Sequence, residues 1–258
     1  MLFKIWAGFL LTLCLLASAG CAEQKLVVGC DNYPPFISIN ENGEFTGLDV
    51  ELAQEAFGRM GYQPVFEIID WEKKKNLVES GEIDCIWGSF SIDGREEEYR
   101  WAGPYMVSRQ VVAVLPQSKI ETLADLEGKI VAVQSTTKPE SIFLNREDER
   151  IPEIRWLYSL ENRELIYTAL GKGYADAIAA HESAIRQYME DYGVEFRILE
   201  EPLLTAGLGV AFAKGDERGI DERLTRVFAD MLADGTTRRI AEKYLKEPEH
   251  FLEVDSLE

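Results

Sequence analysis

The residue types that carry covalent and metal chemistry are sparse in this 258-residue sequence. Its two histidines, His181 and His250, stand far apart. None of its four cysteines, Cys14, Cys21, Cys30 and Cys85, joins a Cys/His cluster with zinc spacing, so no metal site is expected. No G-x-x-x-x-G-K-S/T or G-x-G-x-x-G loop occurs, which leaves no cradle for a nucleotide cofactor and predicts no cofactor at all. What remains is hydrogen-bonding and charge chemistry. Ser135, Thr136 and Thr137 stand just ahead of a predicted helix. Hydroxyls and N–H groups at a helix start can hold a carboxylate or cap the helix, and the spacing leaves both open. The formal charge is −19, from 27 Lys+Arg against 46 Asp+Glu, which argues against a nucleic-acid partner because phosphate binding needs clustered cations. The acidic excess reads as a solvated surface and does not decide the charge of a ligand, which the local field of a site governs.

The N-terminus reads as an export signal over residues 1–21. Lys4 precedes an apolar run from Ile5 to Leu16, broken by Gly8 and Thr12, and the small residues Ala17-Ser18-Ala19-Gly20 follow. The run is shorter than the roughly 20 residues a membrane span needs. Gly20-Cys21 fits a lipoprotein cleavage site, with Ser18 where Leu is usual, so Cys21 is the expected lipidation site. A simple cleaved signal at Ala17-Ser18-Ala19 is the alternative. Either way the mature chain lies outside the cytoplasm, in the periplasm or at the cell surface. Cys14 leaves with the signal. Cys30 and Cys85 fall at opposite ends of two candidate strands, beyond the Cα separation of about 7 Å that a disulfide tolerates, and two buried free thiols are expected.

These residues are positioned by alternating strands and helices. Leu26–Gly29, Val65–Ile69, Ile83–Trp87, Lys129–Val133, Arg155–Tyr158, Asp176–Ala180, Val194–Leu199 and Gly207–Ala213 read as strands. Helical spacing of Leu48, Leu52, Ala53, Ala56, Phe57 and Met60 predicts a helix closed by Gly61. Further helices are predicted over Trp71–Ser80, after Thr137, and over Asn162–Lys172, Glu182–Tyr192, Asp221–Ala233 and Thr236–Lys246, and Thr122 caps a short one through Leu126. The pattern is α/β with a mainly parallel sheet. One segment repeats: Leu77 to Ile86 and Ala169 to Ile178 both end a helix at glycine and open a strand with Asp three residues later. The repeat predicts two similar lobes with a cleft at the carboxyl ends of their strands.

Several segments in order carry a resemblance: Val28-Gly29-Cys30-Asp31 with Tyr33-Pro34-Pro35-Phe36, Gly43 to Ala53, Asp70-Trp71, Gly81-Glu82-Ile83-Asp84, Arg95, Gly103-Pro104-Tyr105, Leu123 to Val133, Ala233-Asp234-Gly235-Thr236 and Glu242-Lys243-Tyr244. Together they resemble the substrate-binding proteins of polar amino-acid ABC transporters, the solute-binding family 3 group with the type II periplasmic-binding fold. The resemblance implies two Rossmann-like lobes joined by two crossover strands. A discontinuous first lobe would span residues 23–113 plus 206–258, and a second lobe 114–205. The crossings would fall near Ala113 to Gln117 and Glu201 to Gly207, with hinge closure on a ligand.

The same resemblance implies the site. Arg95 takes the family's carboxylate-binding position, aided by Ser89 and Ser91. Ser91 is four residues before the arginine where five is usual, so one residue is missing around Asp93-Gly94. Ser135, Thr136 and Thr137 would meet the carboxylate from the second lobe, and Tyr33 and Trp71 would flank the ligand. Where the family places an ammonium-binding Asp this chain has His181, with Glu182 next and Asp31 as a further acidic candidate. The implied function is an extracytoplasmic, monomeric receptor that delivers an amino acid or related carboxylate to an ABC permease, with no catalysis. The alternatives are a ligand-sensing module for a signalling partner and a cyclohexadienyl-dehydratase-like enzyme using His181 and Glu182.

Overall fold

The computed structural model describes residues 24–254; the predicted export signal and Cys21 lie outside the described residues. In chain order the first elements are β1 (Gln24–Cys30), β2 (Ser38–Ile39), β3 (Phe45–Thr46), α1 (Leu48–Arg59), β4 (Tyr62–Ile68), α2 (Lys74–Ser80), β5 (Cys85–Ser91) and β6 (Arg100–Val114). They are followed by β7 (Ile130–Gln134), α3 (Lys138–Asn145), β8 (Trp156–Leu160), α4 (Arg163–Gly171), β9 (Ala177–His181), α5 (Glu182–Tyr192), β10 (Arg197–Ile198), β11 (Leu204–Phe212), α6 (Ile220–Ala233), α7 (Thr236–Ala241) and α8 (Glu249–Leu252).

The main sheet runs β4-β1-β5-β11-β6-β9-β7-β8, with β10 added to β6. At one end β4, β1 and β5 are mutually parallel. At the other, β8, β7 and β9 are parallel. Between them β11 and β6 run antiparallel to their neighbours. The architecture is therefore two parallel α/β halves tied by two long strands. The 15-residue β6 is the main tie. From Arg100 to Gln110 it pairs with β11, and from Gln110 to Val114 with β9. One residue thus belongs to both halves. Apolar patterning did not mark β6 as a strand, because Gly103-Pro104 and Ser108-Arg109-Gln110 interrupt its apolar runs.

Each half buries apolar residues on both faces of its sheet, as parallel sheets must. In the first half Val28, Trp87, Leu52, Phe57, Leu224 and Met231 form one cluster, and Trp71, Val78, Ile86 and Phe90 the opposite one. In the second half Val131, Val133, Ile142 and Phe143 cover one face, and Ala132, Ile166, Leu170, Ile178 and Ile185 the other. The helical spacing read in α1 is the buried stripe Leu48, Leu52, Ala53, Ala56 and Phe57. The predicted last helix is shorter than expected. α7 ends at Ala241, and Leu245 reaches the core from the turns beyond it. Cys30 and Cys85 are buried free thiols on adjacent strands, Cys85 standing opposite Val28.

The repeated helix–strand joint has a physical basis. Gly81 and Gly173 both adopt positive φ, 78° and 72°, where a side chain is strained. Asp84 N–H then donates to Val27 O at 2.8 Å, and Val27 N–H donates to Asp84 Oδ2 at 2.7 Å. In the second half Asp176 N–H donates to Ile130 O at 2.8 Å, and Ile130 N–H to Asp176 Oδ2 at 2.8 Å. Each aspartate clamps one residue of the neighbouring parallel strand, Val27 of β1 or Ile130 of β7, at two points, which sets the register of β5 on β1 and of β9 on β7. Replacing Asp176 with Ala removes one charge-assisted bond, and calorimetry should show a loss of about 1 kcal/mol, or roughly 2–4 °C in Tm. An unchanged Tm would mean that the register is held by packing alone.

Candidate functional site

The two halves face each other across a cleft that is partly open to solvent. Its lining comes from both sides. Tyr33, Trp71, Ser89, Ser91 and Arg95 belong to the first half, Thr136, Thr137, Lys138, Arg163, Ala180 and His181 to the second, and Gln110 to the shared strand. The cleft lies at the carboxyl ends of β5, β7 and β9, where open α/β sheets bind ligands.

Two backbone positions stand out. Ser89 and Thr136 are non-glycine residues with positive φ, 51° and 55°, one on each side of the cleft. Such strain persists only where the surroundings over-determine it. For Ser89 the determinant is Asp49. The carboxylate is fully buried and accepts the Ser89 N–H at 2.8 Å, while Tyr105 Oη–H donates to it at 3.0 Å. The Gly47-Leu48-Asp49 motif is thereby explained. Gly47, at φ 126°, sits so close to Phe36 that a Cβ would lie 2.3 Å from the Phe36 carbonyl oxygen. That close approach starts α1 where Asp49 can reach β5. Burial pushes the Asp49 carboxyl up to about 7, against the lowering effect of its hydrogen bonds.

Arg95 follows the tight turn at Asp93-Gly94. Its guanidinium packs on the Phe90 ring at 5.1 Å, and Nη1–H donates to Ser91 O at 3.3 Å. Among the described residues no carboxylate makes an ion pair with it. Burial lowers its pKa from the ordinary arginine value. Gly94, at φ 72°, lets Lys138 of the second half approach, since a Cβ there would stand 2.8 Å from Lys138 Nζ. Lys138 itself is paired with Glu147 at 2.7 Å.

The halves are also bonded to each other. Lys74, only 5 % exposed, donates to Trp71 O at 3.1 Å and crosses the cleft to Thr136 O at 3.2 Å and Thr136 Oγ1 at 2.8 Å. Burial first, and the nearby Arg95 charge second, push its pKa down to about 7. Ser135 Oγ–H donates to Glu72 Oε1 at 2.6 Å, and Gln134 Nε2–H to Asp31 Oδ2 at 2.8 Å. Arg163, the first residue of α4, lays its guanidinium on the Tyr33 ring at 3.0 Å from the centroid, with Asp31 Oδ2 3.5 Å from its Nη1. The conformation is closed.

The structure distributes the expected site residues as follows. Tyr33, Trp71, Ser89, Ser91, Arg95, Thr136, Thr137 and His181 share the cleft lining. Asp31 backs that lining through Gln134 and Arg163 instead of forming it. Ser135 spends its hydroxyl on Glu72. Thr136 N–H donates to Glu140 Oε2 at 2.6 Å, and Thr137 Oγ1–H donates to Gln134 O at 2.6 Å. Glu182 lies outside the lining and pairs with Arg109 at 3.0 Å and with the i+4 Arg186 of α5 at 2.6 Å. His181 sits between Ser108 Oγ, 2.7 Å from Nδ1, and Gln110 Nε2, 2.8 Å from Nε2, with the Tyr33 ring at 5.6 Å. Burial and the Arg163 charge push its pKa down to about 3, so it is neutral.

Sequence reasoning missed Lys74, Gln110, Gln134, Lys138 and Arg163. Only Lys138 carried a signal, its place at the start of the helix after Thr137. Among the described residues, five of the cleft lining also hold buried polar atoms with no partner: Trp71 Nε1, Ser89 Oγ, Gln110 Oε1, Gln134 Oε1 and Arg163 Nη1. Unpaired buried polar atoms are costly, and their concentration at one cleft marks it as built for a polar ligand.

Two α/β lobes sharing two strands, with a closed polar cleft between them, define a binding protein for small solutes. The model of the bacterial extracellular solute-binding proteins, family 3, matches residues 26–247, and the chain belongs to this family. A histidine-binding periplasmic protein of Salmonella typhimurium is 30 % identical over 88 % of this chain and 90 % of its own length. The glutamate-binding protein GluB of Corynebacterium glutamicum is 26 % identical over 93 % of this chain and 87 % of its own. The crystal structure of an ABC uptake transporter substrate-binding protein from Streptococcus pneumoniae with bound histidine superposes with a TM-score of 0.79, at 24 % identity over 86 % of this chain and 93 % of that one.

The Asp49 buttress is testable through pH. A carboxyl raised in the folded state keeps its proton when the unfolded chain has lost it. Its contribution is therefore neutral at acid pH and becomes unfavourable as pH rises from about 4 to about 7. Asp49→Asn keeps an acceptor for Ser89 N–H and removes the titration. The slope of unfolding free energy against pH over that window should become less negative than in the unmodified protein. Parallel slopes would show that Asp49 titrates as an ordinary carboxylate.

Proposed function

We propose that the protein captures an amino acid in the interlobe cleft outside the cytoplasm and passes it, as a monomer, to an ABC permease. The observation that carries this reading is Arg95, a guanidinium within the cleft that has no ion-paired carboxylate among the described residues, donates to the Ser91 carbonyl and shares the lining with Ser89 and Ser91. A guanidinium takes a carboxylate through paired N–H···O bonds, strongly where water is excluded. Family membership and the histidine- and glutamate-binding relatives support the same ligand class. Closure about β6 and β11 would present one compact form to the permease, and ligand binding would act by shifting the population toward it. An enzyme of the dehydratase kind would need a proton donor in the cleft. His181 and Glu182, the residues considered for that role, are held by Ser108 with Gln110 and by Arg109 with Arg186.

The decisive measurement is thermal shift and calorimetry of the purified protein against the standard amino acids. At least one should raise the Tm, and Arg95→Ala should weaken it by about 100-fold or more, the cost of removing one partner of a buried charge pair. No shift with any amino acid would overturn the reading.

The export signal and a lipid on Cys21 complete the proposal, since a tether would hold the receptor at the permease. In a producing bacterium, labelled fatty acid should enter the protein, and Cys21→Ser should release it into the soluble extracytoplasmic fraction. Equal membrane association of the variant would refute the lipid anchor.

A further inference from the structure

Resting on the amino-acid reading, we infer that the cleft is selective for ligands carrying two carboxylates and excludes the basic amino acids. The argument begins with the charges of the lining. Among the described residues Arg95, Lys138 and Arg163 line the cleft, and no aspartate or glutamate does. Lys138 is answered by Glu147. Arg95 is not answered by any described carboxylate. Arg163 is answered only in part: Asp31 Oδ2 stands 3.5 Å from Nη1, makes no hydrogen bond to it, and takes the Gln134 amide at 2.8 Å instead. The face of the Arg163 guanidinium is covered by the Tyr33 ring, which leaves its edge, where the N–H donors lie, for a planar acceptor.

Two guanidiniums with spare donors therefore enter one small cleft from opposite halves, Arg95 from the first and Arg163 from the second. One monocarboxylate can answer only one of them. A second carboxylate on the same molecule would answer the other and draw the halves together. A cationic side chain would meet the unpaired charge of Arg95, with no acidic group among the described lining residues to offset the repulsion. His181 in the second-lobe lining is neutral and offers no negative charge. The oxygens Gln110 Oε1 and Gln134 Oε1, unpartnered among the described residues, suit an ammonium or another neutral or cationic N–H donor without adding a charge. An acidic α-amino acid satisfies the whole set, and a dicarboxylate without an amine satisfies its charged part.

The test is calorimetry of the purified protein with L-glutamate, L-aspartate, glutarate, L-glutamine, L-arginine and L-histidine. At least one dicarboxylate should bind about 10-fold or more tightly than L-glutamine, and L-arginine and L-histidine should give no heat at millimolar concentration. Arg163→Met, with the ligand-free Tm as a check on folding, should weaken the preferred dicarboxylate by about 10-fold or more and change L-glutamine by less than about 2-fold. Tighter binding of L-arginine, L-histidine or L-glutamine than of every dicarboxylate would overturn the inference while leaving amino-acid capture intact. Equal losses for L-glutamate and L-glutamine in Arg163→Met would also overturn it. Absence of binding by all six would remove the inference, and failure of every other amino acid as well would remove the reading beneath it.

Discussion

Everything in this molecule passes through Gln110. At that residue β6 leaves its partner β11 and takes up β9, so the backbone of one strand is common to both lobes. Leu203 N–H donates to the Gln110 carbonyl at 2.9 Å as the chain returns. The side chain of the same residue reaches Ser91 Oγ at 3.4 Å on one side and His181 Nε2 at 2.8 Å on the other. The place where the lobes must pivot is therefore a wall of the site they enclose. A change in the angle between the lobes cannot leave the cleft unaltered, and this is the geometric requirement for coupling closure to occupancy.

The rest of the site is an exercise in keeping charge and strain where they are useful. Ser89 and Thr136 hold sparsely populated backbone conformations on facing sides, the first secured by a buried carboxylate and the second by Glu140. Lys74, Glu72 and Asp31 hydrogen-bond across the gap to Thr136, Ser135 and Gln134. These ties give the closed form some stability of its own. A receptor whose closed state is already appreciably populated loses less of its intrinsic affinity to the closing step. Among the described residues of the cleft, the buried polar atoms left over belong to Trp71, Ser89, Gln110, Gln134 and Arg163.

Three features set the charge of the cleft. Gly94 lets Lys138 approach the first lobe, His181 in the second-lobe lining is neutral, and Arg163 at the start of α4 stacks on Tyr33. Two of them bring positive charge to the cleft and the third adds no negative charge.

Local physics made much of this legible from the amino-acid order alone. Helical spacing gave the buried stripe of α1. The recurring glycine and aspartate at Gly81 to Asp84 and Gly173 to Asp176 gave the paired lobes, because a clamp on a neighbouring strand needs the same two residues each time. Motif order pointed to Tyr33, Trp71, Ser89, Ser91, Arg95, Thr136, Thr137 and His181, which meet at the cleft. Tertiary structure alone decided the rest. β6 is a strand because it has partners on both sides, not because its own pattern alternates. Glu182 turns away because Arg109 and Arg186 wait on the outer face. Lys74 and Arg163 act across the gap, so their partners are set by how the two lobes approach. That approach is fixed by contacts between residues far apart in the chain, such as Lys74 with Thr136 and Tyr33 with Arg163, and periodicity and capping carry no information about such pairs.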